Sequence, residues 1–377
     1  MIKLLCTALS TVRRSNNRRP WSRQYLALFC YSRLFGFDAR QWILRLVPLL
    51  LFLVWLPAQA EDYTFPGNIP AACAGPVSDV YTCTPLTLAA SDTITITGPI
   101  AITVIGDFTT VSPTQINAAG NPTDLTITVT GITDLGANTI FKGKIIGNNA
   151  ITGTITIGAN SQVEGDLATT EAGVINIGAD STIVGKLTTK SGAINVGDRV
   201  TITGSILSSL AGVITVGADA IVTGDIATTY EGSEIGAGAI TIGSGIEVAG
   251  SVSTYTGAIT VGTDAKVDGN VTANDGALSI GAGANIGKSV CSGNSGAITI
   301  GASANVGGNV ETATAGAITV GALANVTGGA TVHKAGALTI GANSTVGERI
   351  STSCEVVTPP TSLPRIISRQ WRQVFMR

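Results

Sequence analysis

The sequence predicts an all-β chain wound as a single-stranded, three-sided parallel β-solenoid, and three observations predict it. A short unit, Gly-x-(Ile/Leu)-x-(Ile/Val)-Gly, opens at Gly153, Gly173, Gly192, Gly212, Gly238, Gly257, Gly276, Gly296, Gly316 and Gly336. Neighbouring openings lie 19 or 20 residues apart, apart from one gap of 26 that holds an insertion at 230–237. A fixed period of this length is the signature of stacked repeats. Within each unit apolar and polar residues alternate, which is the period of a strand with one buried face. Composition agrees: 47 of 377 residues are Gly, 44 % are hydrophobic and only 12 % are charged, against roughly 25 % charged in an ordinary domain. A disordered chain would be poor in aliphatics and rich in charge.

Residues 1–60 read as a leader region. Nine Lys/Arg accompany an apolar run, Leu46 to Pro57, that ends in Ala58-Gln59-Ala60. Twelve apolar residues are too few to span a bilayer comfortably, and the Ala-x-Ala ending is a cleavage pattern. The expected mature start is Glu61, after cleavage behind Ala60. Export follows, to the periplasm, the outer membrane or the cell surface. An uncleaved anchor is the alternative.

Residues 61–152 read as an N-terminal cap with irregular coils. The segments DTITITG (92–98), AITVIGDF (101–108) and DLTITVTG (124–131) alternate like strands, but their spacing is longer and uneven. Cys73 and Cys83 flank a short Gly-Pro loop and are the expected disulfide in an oxidising compartment.

Residues 153–355 hold the regular repeats, about ten coils. Counted from the opening Gly as zero, offset two places Ile259, Leu278 and Ile298 in one inward column. Offset four places Val261, Ile280 and Ile300 in the next, and Val267 and Val271 mark two more at offsets ten and fourteen. Between offsets two and four runs an outward polar column that includes Thr215, Thr241, Thr260, Thr299, Thr319 and Thr339. Offset twelve is usually Gly, expected at a corner where a side chain would strike the core. Each coil then has three short strands. One coil cannot repay the entropy of ordering twenty residues, whereas stacked coils gain parallel ladders on every side. Residues 356–377 end the ladder with Pro359, Pro360 and Pro364 and a basic tail.

The chemistry is sparse. Residues 61–364 carry nine basic and 23 acidic side chains, so nothing would neutralise nucleic-acid phosphates. His333, the sole histidine, receives no role. Asp180, Asp219 and Asp264 share offset seven, a convex turn row rather than the cleft that paired acid–base carboxylates need. Cys291, at offset fifteen, is expected to point outward. Cys354 stands three coils further along, beyond the Cα separation of about 7 Å that a disulfide tolerates. Two readings stand for this pair: free thiols, or a cross-link between molecules. No metal, cofactor or small-molecule substrate is indicated.

Units such as GASANVGGNVETATAGAITVG resemble the bactofilin-type polymer-forming proteins. The stretches YTFPGNIPAAC and VYTCTPLTLAASDTITITG are similar to the leading region of the protein Q family of mannose-sensitive haemagglutinin pilus biogenesis. The first resemblance implies a right-handed parallel β-helix that assembles end to end without nucleotide. The expectation is an exported, non-enzymatic structural or self-assembling protein of the cell envelope, partnered by itself or by envelope components. The alternative is a surface adhesin or ligand-binding module for sugar or ice. It would use the Thr column with its neighbouring Ala258, Ala277, Ala297, Ala317 and Ala337. A polysaccharide-active enzyme ranks third, because it would need acids clustered with bases that the body largely lacks.

Overall fold

The computed structural model describes residues 60–149, 153–228 and 238–349. The leader, the tail and the insertion expected from the sequence lie outside these residues. Three sheets of 13, 14 and 14 strands run the length of the described chain, and the strands of one coil are dealt to the three sheets in turn. The first sheet carries Ile259–Val261, Leu278–Ile280 and Ile298–Ile300 in register, Ile259 beside Leu278 and Leu278 beside Ile298. These strands form because β-branched residues alternate with Thr or Ser over three residues. They stop where Gly follows.

The solenoid has about thirteen turns rather than ten. The segment before Gly153 winds too, although its period is stretched: Thr87 meets Thr109 at a separation of 22 residues and Asp107 meets Ile132 at 25, against 19 for Asn176 and Asn195. Part of the extra length sits in the five-residue strands Ile100–Val104 and Leu125–Val129. In-and-out alternation survives the stretching, so Ile102 and Ile127 stay in register and buried. At about 4.8 Å per coil the rod is about 60 Å long.

The N-terminal end is closed by three strands, β1 (Asp62–Phe65), β2 (Cys73–Val77) and β3 (Val80–Cys83). β2 and β3 pair antiparallel, with Cys73 directly opposite Cys83. The two cysteines are bonded, with Cα atoms 3.9 Å apart. Phe65 meets Tyr81 edge to face at 4.9 Å, and both are buried. This hairpin ends the parallel ladder of one sheet; the other two sheets begin with β1 and with the strand Leu86–Leu88.

Two backbone columns set the coil shape. Offset seven has a positive φ in every regular coil, from Asn160 at 57° through Asp180 at 60° and Asp264 at 55° to Asn343 at 56°. That explains Asp, Asn and Gly there, since short polar residues tolerate the left-handed region. The glycines at offset twelve have a different reason from the expected one. A Cβ on Gly185 or Gly204 would lie 2.2 or 2.1 Å from the carbonyl oxygen of the equivalent glycine one coil earlier. The obstacle is the neighbouring backbone, not the core.

Candidate functional site

The outward polar column assembles as a ladder. Thr215, Thr241, Thr260, Ser279, Thr299, Thr319 and Thr339 are cross-strand neighbours in unbroken order, and all are exposed. Neighbours on a parallel sheet stand about 4.8 Å apart, so the row repeats a hydroxyl at that interval. Upstream the row continues through Asn195 and Asn176, whose amides bond at 2.9 Å. Ala258, Ala277, Ala297, Ala317 and Ala337 are exposed beside it. Behind the row, Ile259, Val261, Val267, Val271, Leu278, Ile280, Ile298 and Ile300 are at most 1 % exposed.

The structure puts several of the carboxylates to local use. Asp180 accepts two hydrogen bonds from Arg199 of the next coil, from Nε at 2.7 Å and Nη2 at 2.9 Å. That guanidinium holds the Asp180 carboxyl below the usual carboxylate range. Asp107, Asp166, Asp198 and Asp225 each accept a backbone N–H from the following coil at 2.8–2.9 Å. Offset thirteen forms a corner ladder that column reading of the sequence missed. Asp225 accepts from the Ser251 amide, Ser251 from that of Asn270, Asn270 from that of Ser289, Ser289 from that of Asn309, and Asn309 from that of Gly329. The signal was present: short side chains with an acceptor oxygen recur at that offset. The buried hydroxyls at offset sixteen were missed for the same reason. Thr169, Thr189 and Thr254 donate to carbonyls of the opening glycines Gly173, Gly192 and Gly238.

Offset fifteen corrects an expectation. Thr272, Cys291 and Glu311, read as outward, are 8, 2 and 2 % exposed. Cys291 is disulfide-bonded rather than a free thiol, and its partner lies outside the described residues. Glu311 accepts from Arg349 Nε at 2.9 Å, and His333 Nε2 lies 3.8 Å from its other oxygen. A carboxylate can be buried here because the guanidinium stays with it. His333 therefore sits beside an ion pair whose carboxylate is buried and whose guanidinium is half exposed, a neighbourhood its turn sequence does not reveal.

The C-terminal end coil differs from every coil before it. Leu338 and Ile340 are 44 and 49 % exposed. One coil earlier Leu323 occupies the left-handed column with φ at 60° and is also exposed. Leu323→Asn is expected to raise stability by about 1 kcal/mol, since a branched side chain there costs about 1–2 kcal/mol. Urea unfolding of the two chains side by side measures it.

Among the described residues no three His, Cys, Asp or Glu side chains gather as a metal site requires, and no helix is long and apolar enough to cross a membrane. Fold and surface together define a parallel β-solenoid built of in-register aliphatic and hydroxyl files. Comparison of the chain with protein-family models, with curated proteins and with solved structures gives no match.

Proposed function

We propose that this chain is an exported structural β-solenoid that associates with a second copy through its C-terminal end coil. One observation carries the reading: the change in exposure along a single interior file. Ile298 and Ile318 are fully buried, and Leu338, next in the same file, is 44 % exposed. The parallel file steps from 1 % at Val320 to 49 % at Ile340. The strands Ala330–Val332, Leu338–Ile340 and Thr345–Val346 stand last in their sheets among the described residues. A terminal strand presents main-chain donors and acceptors to any further strand.

A second copy is the occupant these features suit. Two end coils facing each other about a two-fold axis present the same apolar residues and the same strands Ala330–Val332, Leu338–Ile340 and Thr345–Val346, which then run antiparallel to their copies. Head-to-tail growth is disfavoured because the opposite end offers no matching apolar surface: Phe65, Leu86 and Leu88 are at most 2 % exposed. The expected particle is a closed pair, as like-with-like interfaces give. A structural role also fits the use of Asp107, Asp166, Asp198 and Asp225 as acceptors for backbone amides of the next coil. The pairing leaves the hydroxyl row uncovered, so a surface ligand is compatible with the same particle.

Sedimentation velocity of the full chain tests this. The wild type is expected to sediment as a pair, and the double variant Leu338→Lys/Ile340→Lys to associate at least about 100-fold more weakly, because desolvating unpaired lysines is costly. Wild-type monomers at every concentration, or a charged variant that still pairs, would overturn the proposal.

A further inference from the structure

We propose that the Ala60–Glu61 peptide bond is the processing site of this chain and that Asp92 is the built-in receptor for the amine which processing releases. The proposal rests on the export half of the reading above and is independent of the pairing half.

Asp92 is 3 % exposed. Its Oδ2 accepts the Ala89 amide at 2.7 Å and its Oδ1 accepts the Glu61 amide at 2.8 Å. Among the described residues no lysine or arginine pairs with it. A buried carboxylate without a counter-cation is costly, and in folded proteins such groups are normally paired. The atom already at its Oδ1 is the backbone nitrogen that cleavage behind Ala60 would turn into a terminal amine.

The surroundings are built for that outcome. Ala60 and Glu61 are exposed, so the bond between them is open to a leader-removing peptidase. The sequence before it supplies the small residues such an enzyme takes, Ala58 and Ala60. Hydrolysis consumes one water and breaks the bond between the Ala60 carbonyl carbon and the Glu61 nitrogen. Ala60 leaves as a carboxylate, and the Glu61 nitrogen takes up protons to become an ammonium. The remainder of β1 is already held: the Thr93 amide donates to the Glu61 carbonyl at 2.9 Å and the Thr93 hydroxyl to Asp62 Oδ1 at 2.6 Å. The Tyr63 hydroxyl donates to the Glu61 carboxylate. That hydrogen bond, with burial and the charges of Glu61 and Asp92, pushes the phenol up to about 12. Processing therefore replaces the amide donor at Asp92 Oδ1 with an ammonium, so that a carboxylate–amide hydrogen bond becomes an ion pair at the outermost strand. The ammonium brings the counter-cation that Asp92 lacks among the described residues, so the cap would tighten only after the leader has gone.

The test uses the full chain expressed in a bacterium that exports it, beside Ala60→Tyr, which removes the small residue before the bond. Intact mass of the wild type is expected to give a chain that starts at Glu61. Hydrogen exchange over 61–69 is expected to be about tenfold slower in that chain than in the Ala60→Tyr chain, a factor set by about 1.4 kcal/mol. In processed Asp92→Asn the advantage should vanish. Acetylating the terminal amine of the processed wild type should remove it as well, which covers the case in which Asp92→Asn loosens the cap outright. A wild-type start other than Glu61, or equal exchange in the processed and unprocessed chains, overturns the proposal. Neither readout depends on whether two copies pair.

Discussion

Gly296→Val is expected to prevent the Gly276 and Gly296 coils from stacking, at a cost of at least about 3 kcal/mol. A Cβ at Gly296 would lie 1.8 Å from the Gly276 carbonyl oxygen and 2.5 Å from its carbon. The atoms it meets are backbone, so no rotamer change relieves the overlap. The same column repeats the problem at Gly276, where the Gly257 oxygen would be 1.9 Å away. Moving the coils apart would break the parallel ladder on all three faces at once, because each strand is tied to its neighbour at hydrogen-bond distance. Urea unfolding followed by circular dichroism measures the loss, and limited proteolysis should cut first near 292–297. Ala297→Val, one residue along and exposed, is the control and should stay within about 0.5 kcal/mol of wild type. Two similar midpoints would contradict the stacking described here.

Leu278→Ala should cost about 3 kcal/mol, while Leu338→Ala should cost less than about 1 kcal/mol. The two leucines occupy the same offset of the same file. Leu278 is 1 % exposed, between Ile259 and Ile298, whereas Leu338 is 44 % exposed with a coil on one side only among the described residues. Truncating the first leaves a cavity bounded by coils that cannot collapse without losing ladder bonds. Truncating the second removes atoms that water already reaches. Denaturation midpoints of the two variants, taken at a concentration where the protein is monomeric, give the contrast directly. Equal losses would mean that the end coil is as covered as the middle.

Much of the fold was legible because a solenoid is nearly one-dimensional: what stacks on a residue is another residue one period away. Ile259, Leu278 and Ile298 could be assigned to one file from spacing alone, and the Thr row from the same count. The period also showed its own limit. The segment before Gly153 broke the count, so its coils could be read as irregular but not counted, although Ile102 and Ile127 stack like the rest. Alternation outlasts a change of corner length, and a search for a constant interval does not detect it. Offset fifteen failed for another reason. Alternation says which side of its own strand a side chain takes, not what lies over that side. Glu311 is covered, and its partner Arg349 comes from 38 residues further along. No local pattern near Glu311 encodes that distance.

The sequence by itself determined the repeat, the identity of the inward files and the outward hydroxyl row, since each depends only on period and polarity, and the candidate disulfide between Cys73 and Cys83, which depends on two cysteines flanking a short loop. The tertiary structure decided what depends on atoms from different coils. Glycine columns are required by carbonyls one turn below. Corner carboxylates are occupied by amides one turn above. Asp92 lies against the nitrogen of Glu61, 31 residues earlier. One end of the rod keeps its interior side chains covered, with an antiparallel hairpin ending one of its three sheets, and the other leaves its interior file half open. Short-range alternation sets which face is apolar, but only packing in three dimensions sets which apolar surface is still free.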